Sequence, residues 1–198
     1  MKPKKASFGT SVSADNRIIC ITGLPRSGKS HLLKNKIIPE YLNRGKTVCI
    51  VDVNREYMAN GNPKVFVYRI RDYDNAEPEL ETLITYLLKH RGSIDALIID
   101  ESNVILNKQR LTPNMKRLVN TLRHEKIDLV VVARRPVDIN ITISELANER
   151  YIFATHGYND ISRLNNIYTG LGDAAQQLTG HSYIYVANDR EYRIVEAA

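Results

Sequence analysis

Short, continuously apolar runs alternate with longer amphipathic stretches along the chain. The runs are "RIICIT" (17–22), "TVCIVDV" (47–53), "DALIID" (95–100), "IDLVVVA" (127–133) and "RYIFAT" (150–155). They show no polar–apolar alternation, the pattern of strands buried on both faces. "KVFVYRI" (64–70) reads as a further, shorter strand. Between the runs, "KSHLLKNKIIPEYLNRG" predicts a helix ending near Gly45. "EPELETLITYLLKH" places Leu80, Leu83, Ile84, Leu87 and Leu88 on one helical face. "LTPNMKRLVNTLRHE" predicts a helix with Thr112 as N-cap and Pro113 at its first position. "NDISRLNNIYTGLG" reads as helical up to its glycines, and "SYIYVANDREYRIVEA" as a β-hairpin turning at Asn188 and Asp189. Strand–helix alternation of this kind predicts an α/β fold: a mostly parallel central sheet, helices on both faces and a C-terminal hairpin. No internal repeat, low-complexity segment or linker interrupts residues 17–198, which read as one domain.

A chain of 198 residues is long enough for one α/β domain with a full core and little else. Hydrophobic residues make up 43% and charged residues 25%, values of an ordinary globular protein. No apolar run approaches the roughly 18 residues needed to span a membrane. The opening "MKPKKASFGTSVSADN" (1–16) is basic but has no apolar h-region, so a flexible basic arm is expected rather than a secretory signal. The net charge of +6 fits a polyanionic partner, or simply a basic surface. Cys20 and Cys49 fall inside strands and read as buried thiols in a reducing compartment. No histidine pairs with another His or Cys at metal-ligand spacing, so none is assigned a metal.

The stretch "GLPRSGKS" directly follows the first strand and opens the first helix. Glycine, four residues, then Gly28-Lys29-Ser30 is the spacing of a loop that wraps phosphates with backbone N–H groups. Gly23, Leu24, Pro25, Arg26, Ser27, Gly28, Lys29, Ser30 and the adjoining His31 form the expected nucleotide-binding segment. Lys29 would reach the β- and γ-phosphates of ATP, and the Ser30 hydroxyl would bind Mg²⁺. A chance match in a glycine-containing turn is the alternative, but strand, loop and helix supply the context the motif requires. The second chemical stretch is "ALIIDES". Asp100 would hold the Mg²⁺ shell, and Glu101 would orient and deprotonate an attacking water. The bland alternative is a helix N-cap with acidic first-turn residues. Kinases must exclude water, whereas hydrolysis needs a group such as Glu101.

Four further stretches resemble the HerA–FtsK superfamily of DNA-translocating ATPases. "DVNREY" is similar to the D-x-x-G-E-Y after the same strand: Asp52, Glu56 and Tyr57 match, with Arg55 in the glycine's place. "VVVARRP" is similar to ATQRP: Arg135 and Pro136 match, and Arg134 replaces the polar sensor glutamine. "RHEKIDL" aligns with R-x-x-G-h-x-L and puts Arg123 where the family carries a candidate arginine finger. "LTGHSYIYV" resembles the family's closing strand. The resemblance runs from about Arg17 to Glu196. Without the barrel, membrane spans or winged helix of larger members, the chain looks like the ATPase core of genome-packaging ATPases of icosahedral viruses with an internal membrane.

That resemblance implies an ATP-hydrolysing translocase that packages double-stranded viral DNA into a capsid. It implies a homo-oligomeric ring around the DNA, sequence-independent contacts, docking at a capsid vertex, and a place in the host cytoplasm or the virion. The catalytic set it implies is Lys29, Glu101, Arg123 and Arg134, with Ser30 and Asp100 on the metal. A cellular HerA-like helicase or conjugation-type motor is an alternative in the same class; a nucleotide or metabolite kinase is one from another. A filamentous-phage morphogenesis ATPase typically has a membrane span, for which no apolar run is present. Arg134 and Arg135 also fit a surface pair at a strand end, Arg123 a solvated helix arginine, Asp52 a strand-end cap, and the 11 tyrosines core and surface filler.

Overall fold

In a computed structural model, which describes residues 16–187 and 191–196, the apolar runs form one eight-stranded sheet. Its strands are β1 Ile18–Thr22, β2 Val48–Asp52, β3 Val65–Arg69, β4 Ala96–Ile99, β5 Asp128–Ala133, β6 Glu149–Phe153, β7 Tyr183–Ala187 and β8 Glu191–Val195. They lie in the order β3-β2-β4-β5-β1-β6-β7-β8. Pairing from β3 through β6 is parallel, and β7 and β8 are added antiparallel. Every residue of β1, β2, β4, β5 and β6 is buried, which explains their unbroken apolar runs. The edge strand β3 is half exposed, and β7 alternates buried with partly exposed positions.

The helices are α1 Lys29–Leu32, α2 Ile38–Asn43, α3 Ala76–Lys89, α4 Ser102–Ile105, α5 Pro113–Glu125, α6 Ile141–Leu146, α7 Tyr158–Ile167 and α8 Leu171–Gln176. Alternate strand residues feed opposite cores. Ile19, Ile21, Ile98 and Val130 pack with Leu33, Ile37 and Tyr41 on one face. Cys20, Val51, Leu97 and Val131 pack with Leu80, Ile84, Met115, Leu118 and Ile143 on the other. A third cluster joins Ile152 and Ile184 to Leu164 and Leu171. Both cysteines are buried and neither is in a disulfide, and burial pushes the Cys49 thiol up to about 12.

Several local expectations differ from what is found. The helix expected over 29–45 is interrupted by a π-helical segment, Leu33–Ile37, between α1 and α2. Helices α4, α6 and α8 have four to six residues, too few to display a 3.6-residue period. The stretch expected to be helical up to its glycines is so, α7 ending at Ile167 with an extended Tyr168, but a further short helix, α8, starts directly after Gly170, which takes a left-handed φ of 82°. Thr112 occupies the N-cap position of α5, but the acceptor there is Glu81 of α3. Its carboxylate takes the Thr112 hydroxyl and, at 2.8 Å, the Asn114 amide. Leu83 is only partly buried, unlike the four other leucine and isoleucine residues of its face. The turn joining β7 to β8 lies outside the described residues, as does the expected basic arm apart from Asn16.

At the N-terminal ends of the strands a single cation gathers three of them. The Arg17 backbone amide donates to Asp128 Oδ1 at 2.8 Å, and its guanidinium donates to Asp128 Oδ2 at 3.4 Å and Glu149 Oε1 at 2.8 Å. Asp128 opens β5, Glu149 opens β6, and Tyr41 of α2 donates to Asp128 Oδ2 at 2.7 Å. All three charged side chains are buried. Removing one member of such a cluster leaves uncompensated buried charge, a cost of about 3–5 kcal/mol. Arg17→Ala is therefore expected to lower unfolding free energy by about 3 kcal/mol or more, and Tyr41→Phe by about 1 kcal/mol, both read from urea unfolding midpoints. Equal small losses for the two variants would contradict this account.

Candidate active site

The nucleotide-binding segment expected from "GLPRSGKS" turns between the C-terminal end of β1 and the start of α1. Its shape depends on left-handed backbone at Gly23 (φ 148°), Arg26 (φ 62°) and Gly28 (φ 109°). At Gly23 a side chain would collide with Phe153 at the end of β6. Gly28 faces both the Phe153 ring and His181, and a Cβ there would lie 3.1 Å from the ring and 3.3 Å from the imidazole. Leu24 anchors the loop by donating its amide to Ala154 O at 3.0 Å. Pro25 and Arg26 are exposed; Ser27 is buried, and its hydroxyl oxygen has no hydrogen-bond partner among the described residues. An orphaned buried hydroxyl is costly unless a ligand completes it.

Lys29 begins α1 and turns back into the loop. Its ammonium donates to the carbonyl oxygens of Gly23 and Leu24, both at 2.8 Å. Burial lowers its pKa, Glu101 and Asp100 pull it back up, and Arg134 pushes it down again. These four groups therefore share one electrostatic neighbourhood. Ser30 follows on the same helix, partly exposed, and His31 is exposed beside Asn35.

Asp100 and Glu101 follow β4, two strands from β1 with β5 between. Asp100 is buried; its Oδ2 accepts the Tyr57 hydroxyl at 2.7 Å and its Oδ1 the Glu101 amide at 2.9 Å. Burial raises its pKa, while the Tyr57 and Glu101 hydrogen bonds lower it. Glu101 sits at φ 49°, ψ 46°, a left-handed conformation that costs a non-glycine residue about 1–2 kcal/mol. Such strain persists where surrounding contacts over-determine it. Here the contacts are the Asp100 carboxylate on the Glu101 amide and Arg134 on its side chain. Arg134 is the first residue after β5, and its Nε donates to Glu101 Oε2 at 2.8 Å. The arginine side chain is 51% exposed, so the pair is worth about 1 kcal/mol or less. It holds Glu101 in place without locking it.

The remaining residues singled out from the sequence separate. Asp52 is a strand-end cap: its two oxygens accept the amides of Glu56 and Tyr57, each at 3.0 Å. Arg55 takes a φ of 60°, the left-handed conformation for which a glycine serves at that position of the resembled motif. Arg135 points away from the acids and pairs with buried Asp160 at 2.9 Å, fixing the start of α7. Arg123 lies near the C-terminal end of α5, which leads into the N-terminal end of β5 at the opposite edge of the sheet; its side chain lies outside what the structure describes. Sequence reasoning passed over Phe153 and His181 as walls of the loop, and over the Tyr57 hydroxyl as a partner of Asp100.

The donor set suits a magnesium–nucleotide complex. Mg²⁺ takes one or two protein oxygens and relies on substrate phosphates and water for the rest. Ser30 and Asp100 offer that minimum. Among the described residues no group of three or more His, Cys, Asp or Glu could hold a metal alone. No helix of the described residues is long and apolar enough to cross a membrane.

No protein-family model matches the chain, and no curated protein sequence matches it. Solved structures do. The genome packaging NTPase B204 from Sulfolobus turreted icosahedral virus 2, in complex with AMPPCP, superposes with a TM-score of 0.76 at 21% identity, over 92% of this chain and 98% of that one. B204, the DNA-packaging ATPase from Sulfolobus turreted icosahedral virus, gives a TM-score of 0.78 at 21% identity, over 92% and 98%. VirB4 of Thermoanaerobacter pseudethanolicus gives 0.68 at 13% identity, over 91% and 89%. The resemblance read from the sequence motifs is thus found again in the backbone: the chain has the P-loop fold of these proteins over nearly its whole length.

Proposed function

We propose that the protein hydrolyses ATP and uses the energy to move double-stranded DNA, as a genome-packaging motor. The observation that carries the chemistry is the meeting of a phosphate-wrapping loop around Lys29 with two adjacent acids, Asp100 and Glu101, across a single intervening strand. Lys29 and the loop amides hold the β- and γ-phosphates, and the Ser27 hydroxyl gains a phosphate partner. Ser30 and Asp100 hold Mg²⁺, which supplies charge neutralisation at the phosphates when bound. Glu101 takes the proton of a water whose oxygen bonds to the γ-phosphorus as the bond to the β-bridging oxygen breaks, giving ADP and phosphate. Arg134 keeps the Glu101 carboxylate aimed during that step.

The DNA part of the reading is supported by the fold shared with B204, a genome packaging NTPase, over nearly the whole chain. The net charge of +6 is consistent with it. The fold shared with the pCW3 conjugation coupling protein TcpA, at a TM-score of 0.55 and 15% identity over 90% of this chain and 59% of that one, supports a conjugation-type motor as a second reading of the same site. A ring is expected because a developing charge on the γ-phosphate calls for a further cation. Arg123, at the sheet edge away from its own loop, is the residue proposed to serve a neighbouring subunit. Docking on a capsid vertex and a place in host cytoplasm or virion belong to the packaging reading.

For the chemistry, Glu101→Gln should bind ATP like the wild type yet turn over roughly 10²–10⁴-fold more slowly. Lys29→Ala should lose roughly 10²-fold or more in kcat/KM. Phosphate release and nucleotide titration separate the two, and full turnover in Glu101→Gln would return the kinase reading.

Affinity for double-stranded DNA should drop about 10³-fold or more between about 50 and 200 mM salt and ignore sequence. DNA should also stimulate phosphate release. Salt-insensitive, sequence-selective binding would exclude a packaging motor.

Mixing inactive Lys29→Ala with Arg123→Ala should restore part of the activity, because some interfaces then pair an intact loop with an intact arginine. Arginine fingers contribute about 10³–10⁵-fold in related chemistry, so even a minority of repaired interfaces is measurable. Wild-type activity in Arg123→Ala alone removes it from the reaction.

A further inference from the structure

The turn after β2 reaches the active site through one hydroxyl. Asp52, 1% exposed, clamps the turn by accepting two backbone amides, one of them that of Tyr57. Arg69 donates to the Tyr57 carbonyl at 3.3 Å, and the Lys34 ammonium lies 4.8 Å from the centre of the tyrosine ring. The ring, 4% exposed, is thus held from its backbone and over its face. Its hydroxyl donates to Asp100 Oδ2 at 2.7 Å. The other oxygen of Asp100 takes the Glu101 amide at 2.9 Å. Strand β2 pairs with β4, so Asp52 and Asp100 stand on neighbouring strand ends and the tyrosine spans a fixed gap.

Every constraint on Tyr57 therefore converges on the rotation of one buried carboxylate. Two hydrogen bonds, one to each oxygen, fix the plane of that carboxylate and leave one lone pair of each oxygen for another partner. Losing a side chain that orients a metal ligand in this way typically costs about 10- to 100-fold in metal affinity. The phenol is suited to the task. Its hydroxyl is its one polar group, carried on a rigid ring, and it is committed as a donor to Asp100 Oδ2.

We infer that Tyr57 is a positioning residue for the metal, setting the Asp100 carboxylate at the angle from which it holds Mg²⁺ beside the nucleotide. This rests on the reading of Asp100 as the metal-shell carboxylate. Tyr57 is part of the turn that sequence resemblance singled out, yet the resemblance assigns it no task; the geometry does.

Tyr57→Phe removes the hydroxyl and keeps the ring. Affinity for a non-hydrolysable ATP analogue is titrated against Mg²⁺, and again in EDTA, with the melting temperature recorded for each variant. The expected result is a rise of roughly 10- to 100-fold in the Mg²⁺ concentration needed for half-maximal tightening. Affinity in EDTA should stay unchanged. In an Asp100→Ala background the same substitution should have no further effect on Mg²⁺, because the tyrosine acts through that carboxylate. A variant that loses thermal stability but keeps the wild-type Mg²⁺ midpoint overturns the inference and makes the contact structural. An equal effect of Tyr57→Phe with and without Asp100 also overturns it. If the wild type itself binds the analogue independently of Mg²⁺, the metal assignment falls, and the tyrosine's role falls with it.

Discussion

Strand spacing sets the working dimensions of this molecule. With β5 between β1 and β4, the loop that would hold phosphates and the acids that would act on them end two strand intervals apart, about 10 Å. That gap admits a phosphoryl group, a metal ion and a water, and little more. Parallel pairing is what creates it, since only parallel strands bring all their C-terminal ends to one edge. Parallel pairing in turn demands crossover helices on both faces, and so demands the apolar strand interiors. The sheet is anchored at its other edge by Arg17, whose two carboxylate partners open β5 and β6. The end that does chemistry is thereby free to be built from turns and polar side chains.

Much of this was legible in the chain. Five strands announced themselves because residues buried on both faces must be apolar without interruption. The phosphate loop was legible because its glycines answer a geometric need: Gly23 has no room for a side chain, and both Gly23 and Gly28 sit at positive φ. The acids at 100 and 101 were legible from four apolar residues before them. What escaped was whatever depends on a partner distant in sequence. Nothing around Thr112 tells that Glu81, 31 residues away, caps its helix. Nothing in "ARRP" tells that one arginine meets Glu101 while the next meets Asp160. Short helices escaped for another reason: α4, at four residues, completes barely one turn and has no periodicity to read.

Motif departures carry physical content as well. Arg55 stands where the resembled turn has glycine, and it adopts the glycine's left-handed backbone. The chain has kept the turn and accepted its strain, because Asp52 holds the turn from both sides. Arg134 stands where a neutral amide is usual, which places a full positive charge against Glu101. An amide offers that carboxylate a hydrogen bond; a guanidinium also offers it a counter-charge. The pair sits on the water side of the site, where its strength is modest and its geometry can change.

The helix after the phosphate loop holds one residue more than regular winding allows, and the surplus is taken up at Leu33–Ile37. An α-helix advances about 100° per residue, so absorbing an extra residue turns everything beyond it by that angle relative to the loop. Before the bulge, the helix is phased to Lys29 and the nucleotide edge. After it, the phase suits Tyr41, which meets Asp128 at the far edge. The helix is thus two rulers joined end to end. The two ends of the domain thereby settle their contacts with different registers of one continuous rod.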